Sequence, residues 1–158
     1  MKETWFSALG EPLGEDERSE LARYLAGLGM DPSVRPHAVT TWNEADKLCR
    51  TPSDAWWRAE EDERARLERS TRLDPADPDW LALNDALHGA AAVAAARVGC
   101  ADAALIRVAA GAAGYAAYQA RLARAAGAAS GHPFLRKYAL YCGGRWPLGL
   151  YHGQFAIF

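Results

Sequence analysis

The side chains best suited to chemistry gather late in this 158-residue chain. His132, Arg136, Lys137, Tyr138, Tyr141, Arg145, Trp146, Tyr151 and His152 fall within twenty-one residues, with no carboxylate among them. Arginine grips a carboxylate or phosphate with two parallel N–H groups, and Trp and Tyr rings offer faces for stacking. The pattern marks Arg136, Arg145 and Trp146 as candidate ligand-binding residues, joined by Tyr115 and Tyr118 from the alanine-rich stretch upstream. His132 and His152 are candidate acid–base groups. The competing reading makes these aromatics core and pairs the bases with the acids of segment 52–72.

A second candidate is Asp85 with His88, three residues apart on one expected helix and so on one face. A carboxylate beside an imidazole fixes its tautomer and favours its protonation, which is half of an acid–base pair. No nucleophile lies near it in sequence. The chain has no HxxxH or CxxC, and Cys49, Cys100 and Cys142 are far apart, so no metal site is expected. Gly111 and Gly114 lie inside an expected helix and suggest a close approach there. Gly143-Gly144 lacks a following Lys-Ser/Thr, so it reads as a helix stop rather than a phosphate loop. No cofactor is implied.

Charge is unevenly spread. Residues 1–79 carry 18 acids and 11 bases, while residues 80–158 carry only Asp85 and Asp102 against seven bases. Either the two halves pack together and complement each other, or the second half faces an anion. The net charge of -2 and the acidic first half disfavour nucleic acid. The N-terminus has no basic start followed by an apolar run, and the longest uncharged part of the alanine-rich region, 108–120, is too short to span a bilayer. A cytoplasmic protein with reduced thiols and no membrane contact is the expectation.

The elements that must position these groups are mostly helical. Residues 15–28 place Leu21, Leu25 and Leu28 on one face, with acids in the first turn and Gly29 as the stop. Pro32 and Pro36 forbid a helix, so 34–40 reads as an edge strand. Thr41-Trp-Asn-Glu44 is a capping box opening a short helix to Arg50. Thr51 and Pro52 then suit the cap and first position of a helix over 52–72, with Trp56, Trp57 and Leu67 as anchors. Glu60–Arg64, Asp62–Arg66 and Glu68–Arg72 are its expected surface ion pairs. Asp77 caps a helix over 79–98 whose inner face is Trp80, Leu83, Leu87, Ala91, Ala94 and Val98. Residues 101–129 form its partner, with Leu105, Val108, Ala112, Tyr115 and Leu122 inward. Of the chain's 34 alanines, 23 lie between Ala82 and Ala129, and such small faces let two helices approach closely. A short helix over 133–142 follows, anchored by Phe134, Tyr138 and Tyr141. His152-Gly153 then turns a hairpin between 148–151 and 154–158.

The chain therefore reads as a single domain, 1–158, of α+β class and mainly α. An alanine-rich antiparallel helical hairpin packs with N-terminal helices and a two- or three-stranded β element that includes the C-terminal tail. The runs ALHGAAAVAAARVG and VAAGAAGYAAYQARLARAAG resemble in composition the alanine-rich helices of bacterial toxin-immunity proteins, over less than a third of the chain. That resemblance implies an inhibitor or immunity-like module, and the Ala and Arg bias suggests a GC-rich bacterial genome. Two functions follow. One is a binding protein for a protein partner. The other is a small enzyme of specialised metabolism, its pocket between the hairpin and the tail, taking a small anionic or aromatic molecule and using a histidine as acid or base. A pocket of about 300–1,000 Å³ reached by a histidine favours the enzyme, and a flat exposed patch favours the binder.

Overall fold

The structure, a computed structural model, describes residues 4–51, 53–74 and 78–158. Among them six helices and a three-stranded mixed sheet are found, the mainly helical α+β class expected. The elements are α1 (Glu15–Gly27), β1 (Arg35–Ala38), α2 (Trp42–Cys49), α3 (Asp54–Glu68), α4 (Pro78–Arg97), α5 (Ala103–Ala125), α6 (Pro133–Cys142), β2 (Pro147–Tyr151) and β3 (Gln154–Ile157).

Local chemistry sets most boundaries. Asp102 accepts from the Ala104 and Leu105 amides and opens α5, and Pro133 fits the first position of α6. Thr41 Oγ1 accepts from the Glu44 amide at 3.2 Å, but the Glu44 carboxylate reaches the Thr40 amide and His37 rather than closing the box on Thr41. The cap of α3 is Ser53, whose Oγ accepts from the Ala55 amide, so Thr51 is not the cap and the helix ends at Glu68 rather than near 72. Pro52 and Asp77 lie outside the described residues.

The sheet order is β1-β3-β2, with β3 parallel to β1 and antiparallel to β2. Pro36 sits on the edge strand, as its missing N–H requires. His152 and Gly153 both have positive φ, +47° and +77°, which is what a two-residue hairpin turn of the favoured twist needs. Successive residues of β3 point to opposite faces. Phe155 and Ile157 join Leu21, Tyr24, Leu25 and Trp56 on one side. Ala156 and Phe158 join Trp42, Tyr141, Trp146 and the inner faces of α4 and α5 on the other. Trp146 and Phe158 exchange both backbone hydrogen bonds. Helix α5 is the spine, packing against α3, α4 and α6.

The alanine seam forms as expected, with Ala91, Ala95, Ala109, Ala113, Ala116 and Ala120 fully or almost fully buried. Its register differs in places. Val98 lies just past the end of α4 and faces solvent, and Val108 stands on the outer side of α5 while Leu105 and Ala109 take the inner side. Trp57 is 48% exposed and does not anchor α3; Trp56 does. A Cβ on Gly114 would come within 3.0 Å of Asn84 Oδ1, so the close approach is real there, while Gly111 faces open space.

Candidate functional site

The acidic run of α3 does not simply face water. Glu60, only 1% exposed, turns inward and meets Lys137 of α6. Lys137 Nζ donates to both Glu60 oxygens at 2.7 Å and to Gln119 Oε1 of α5 at 3.1 Å. The Tyr24 hydroxyl of α1 donates to Glu60 Oε1 at 2.5 Å and accepts from Trp56 Nε1 at 2.8 Å. Lys137 Nζ also lies over the rings of Trp56 and Tyr115. Burial, reinforced by the Glu60 charge, pushes the Tyr24 hydroxyl well above its ordinary pKa. Among the described residues the single buried side-chain polar atom without a partner is Gln119 Nε2. Four helices converge on this cluster, and its members are sealed from solvent, so it fastens the fold.

Around it lies a half-buried collar. The stacked rings of Tyr115 and Tyr118 donate their hydroxyls to Glu61 and Glu68, each at 2.6 Å. Arg64 bridges Glu61 and Glu68, and Arg66 pairs with Glu63. The expected pair Glu60–Arg64 gives way because Glu60 is committed to Lys137, and Asp62–Arg66 gives way because Arg66 takes Glu63. His132 accepts from the Phe134 amide through Nδ1, so the proton lies on Nε2, which donates to Glu63 at 2.7 Å. Desolvation is outweighed at Glu63 by the hydrogen bonds from Arg66 and His132, which hold its carboxyl below the usual range.

The remaining sequence candidates are also placed. Arg145 is 3% exposed and uses all its donors internally, on Glu17 and on the carbonyls of Ala8, Glu11 and Pro12. Its acidic partner is in α1, not in segment 52–72, because the hairpin entrance lies beside the N-terminal loop. Arg136 pairs with Glu20, and Trp146 is core beside Trp42. These contacts join the basic second half to the acidic first half. Asp85 and His88 are exposed and make no bond to each other; His88 Nδ1 lies 3.0 Å from the Asn84 carbonyl. His152 stands exposed in the hairpin turn.

A wide cleft lies elsewhere. About 670 Å³ in volume, it opens between segment 6–11, the start of α2 and the α4–α5 turn. Its floor is apolar and aromatic: Phe6, Trp42, Ala94, Leu105 and Phe158, with Phe158 edge-on to Trp42 at 5.5 Å. Phe6 holds φ at +56°, an uncommon conformation for a bulky residue, and keeps its ring buried. Ser7, Thr40, Asn43 and Arg97 stand among the polar lining groups. Two of the three acids that line the cleft have internal work: Asp46 pairs with exposed Arg50 at 2.6 Å, and Asp102 caps α5. A smaller groove of about 400 Å³ runs between the hairpin and α6, where the sequence places a pocket, and is lined by Leu83, Arg121, Arg124 and Tyr138 among others. No histidine lines either space, and none of Tyr115, Tyr118, Arg136, Arg145 and Trp146 does.

Phe6 and Arg97 stand in no motif and Trp42 only inside a capping box, and the three belong to different segments, so nothing local marks them as one site. The one local signal is the apolar run Phe155-Ala-Ile-Phe158, which is too hydrophobic for a solvated segment. Among the described residues no group of His, Cys, Asp and Glu is arranged to hold a metal ion, and no helix is long and apolar enough to cross a membrane. No family model, no curated protein and no solved structure matches the chain.

Proposed function

We propose that this protein is a binding module that captures a protein partner by taking an aromatic or aliphatic side chain into the cleft between segment 6–11, α2 and the α4–α5 turn. The observation that carries this reading is the cleft itself: an open space of about 670 Å³ with an aromatic floor. Pockets that recognise ligands are largely apolar with a few polar groups to fix orientation. Here Ser7, Thr40 and Asn43 offer hydrogen bonds at the sides. Val98, 66% exposed, extends the apolar surface over the lip.

The enzyme reading has thinner support. It needs a histidine with access to a pocket. His132 is tied to Glu63 and His37 to Glu44, while His88 and His152 stand on open surface.

Peptide display on the folded protein tests the proposal. Selected peptides should share an aromatic or large aliphatic residue. They should lose binding to Val98→Asp and keep it to Trp57→Asp, an exposed apolar position on α3 away from the cleft. Peptides that bind Val98→Asp as well as the native chain, or a selection that enriches no such residue, would overturn it.

A further inference from the structure

The groove of about 400 Å³ between the hairpin and α6 is built differently from the partner cleft, and the two share no residue. Ala117, Arg121 and Arg124 follow one another at helical spacing, so they line it from one face of α5. Asp79 and Leu83 line it from α4, and Tyr138 closes it from α6. Each guanidinium lies over a ring, Arg121 over Trp80 at 5.5 Å and Arg124 over Tyr138 at 5.6 Å. Trp5 meets the Tyr138 ring edge-on and braces it. A guanidinium resting on a ring still presents N–H groups at its edge.

We propose that this groove binds a small organic carboxylate with an apolar body, the carboxylate on Arg124 and the body against Leu83, Ala117 and Tyr138. Charge argues for it. Arg64, Arg66, Arg136 and Arg145 each hold a glutamate, whereas Arg124 pairs with no carboxylate among the described residues. Two guanidiniums and one carboxylate, Asp79, line the groove, so one positive charge is left over. A monocarboxylate balances that charge, and its two oxygens match two parallel N–H groups of one guanidinium. A phosphate monoester carries nearly two negative charges at neutral pH and would exceed it in a groove that already holds Asp79.

Size and lining supply an independent argument. The volume falls within the range of about 300–1,000 Å³ usual for small-molecule sites. Ala117, 2% exposed, puts only a methyl group at the floor, which leaves the depth of the groove open. Leu83 and the Tyr138 ring flank that floor. An apolar body therefore has surface to cover on three helices while its charged end stays at the guanidinium.

Titration of the native protein with phenylacetate, followed by NMR chemical shifts, tests it, with 2-phenylethanol as the uncharged counterpart. Phenylacetate should saturate the protein in the low millimolar range or below and shift the resonances of Leu83, Ala117 and Arg124. It should bind about tenfold or more tightly than 2-phenylethanol, the worth of a charge-assisted hydrogen-bonded pair. Arg124→Gln should lose about the same factor. Arg107→Gln, at an exposed arginine of α5 outside the groove, should lose nothing. Both positions are exposed, so the melting temperatures should match that of the native protein. Should Arg124→Gln melt early, Ala82→Glu takes its place: it sets a second carboxylate at an exposed position of the lining and should also weaken binding. Four results would each overturn the proposal: no saturation by about 20 mM phenylacetate, shifts gathered on Trp42 and Phe158 of the cleft instead, equal affinity for 2-phenylethanol, or native affinity in the groove variant.

Discussion

Arg145 shows what a single side chain can hold. Its guanidinium ties the entrance of the hairpin to three carbonyls of the N-terminal loop and to Glu17, at distances of 2.6 to 2.9 Å. Removing it empties a position that is only 3% exposed and leaves five hydrogen bonds unmade. Arg145→Ala should therefore lower stability by about 3 kcal/mol or more, the range for breaking a buried ion pair, read as a lower urea midpoint. Added phosphate or carboxylate should not restore it, and recovery by such an anion would show that the position is an anion site. Arg145→Lys should be nearly as damaging, because an ammonium cannot reproduce the planar fork. The Lys137–Glu60 pair calls for a double-mutant cycle. Lys137→Met strands a buried carboxylate and should lose about 3–5 kcal/mol. Lys137→Met with Glu60→Gln should lose clearly less than the two single changes added together, because no lone charge remains. Strict additivity would mean that the two residues do not act as a pair.

At the level of elements, the alanine seam of α4 and α5 is held by close fit. Ala91→Leu should overpack it at a cost of about 1–3 kcal/mol. Ala92→Leu, one position round on the exposed side, should change stability by no more than about 0.5 kcal/mol. Equal denaturation midpoints for the two variants would show that the seam is loose. Residues 133–142, the His152-Gly153 turn, the edge strand at Pro36 and the paired alanine helices are legible in the sequence because capping, turn and period signals are local. Glu60 is not legible. It stands in a run of four acids that reads as a solvated face, and what draws it inward is a lysine 77 positions away. The cleft is unreadable for the same reason: its walls come from four separated segments. The charges of the basic, aromatic tail are dispersed among separate partners, Glu17, Glu20, Glu60 and Glu63, which no local pattern announces.

Across the whole molecule, these pairings make stability depend on pH at both ends of the scale. Hydrogen bonds from His37, from Arg64 and from Arg66 hold Glu44, Glu61 and Glu63 below the ordinary carboxyl value of 4.5. At Glu17 burial opposes this, and Arg145 with the Gly14 amide overcomes it. A depressed folded pKa gives stabilisation that is complete above the unfolded value and is lost as pH falls through the folded one. The urea midpoint should thus be flat through neutral pH and drop below about pH 4.5. It should drop again above about pH 10, where the unfolded chain alone ionises Tyr24 and Tyr141, both raised by burial. A midpoint unchanged down to about pH 2 would contradict the ion-pair account. The sheet has a different consequence, one of timing. Its middle strand, β3, pairs in parallel with β1, and Arg35 is matched to Gln154, 119 positions later. A ribosome adding about 5–20 residues each second needs on the order of ten seconds to cover that distance. Throughout that interval β1 has no neighbour strand, and Trp42 has neither Trp146 nor Phe158 to lie against. The emerging chain therefore offers an open strand edge and a bare indole to whatever chaperone waits at the tunnel exit.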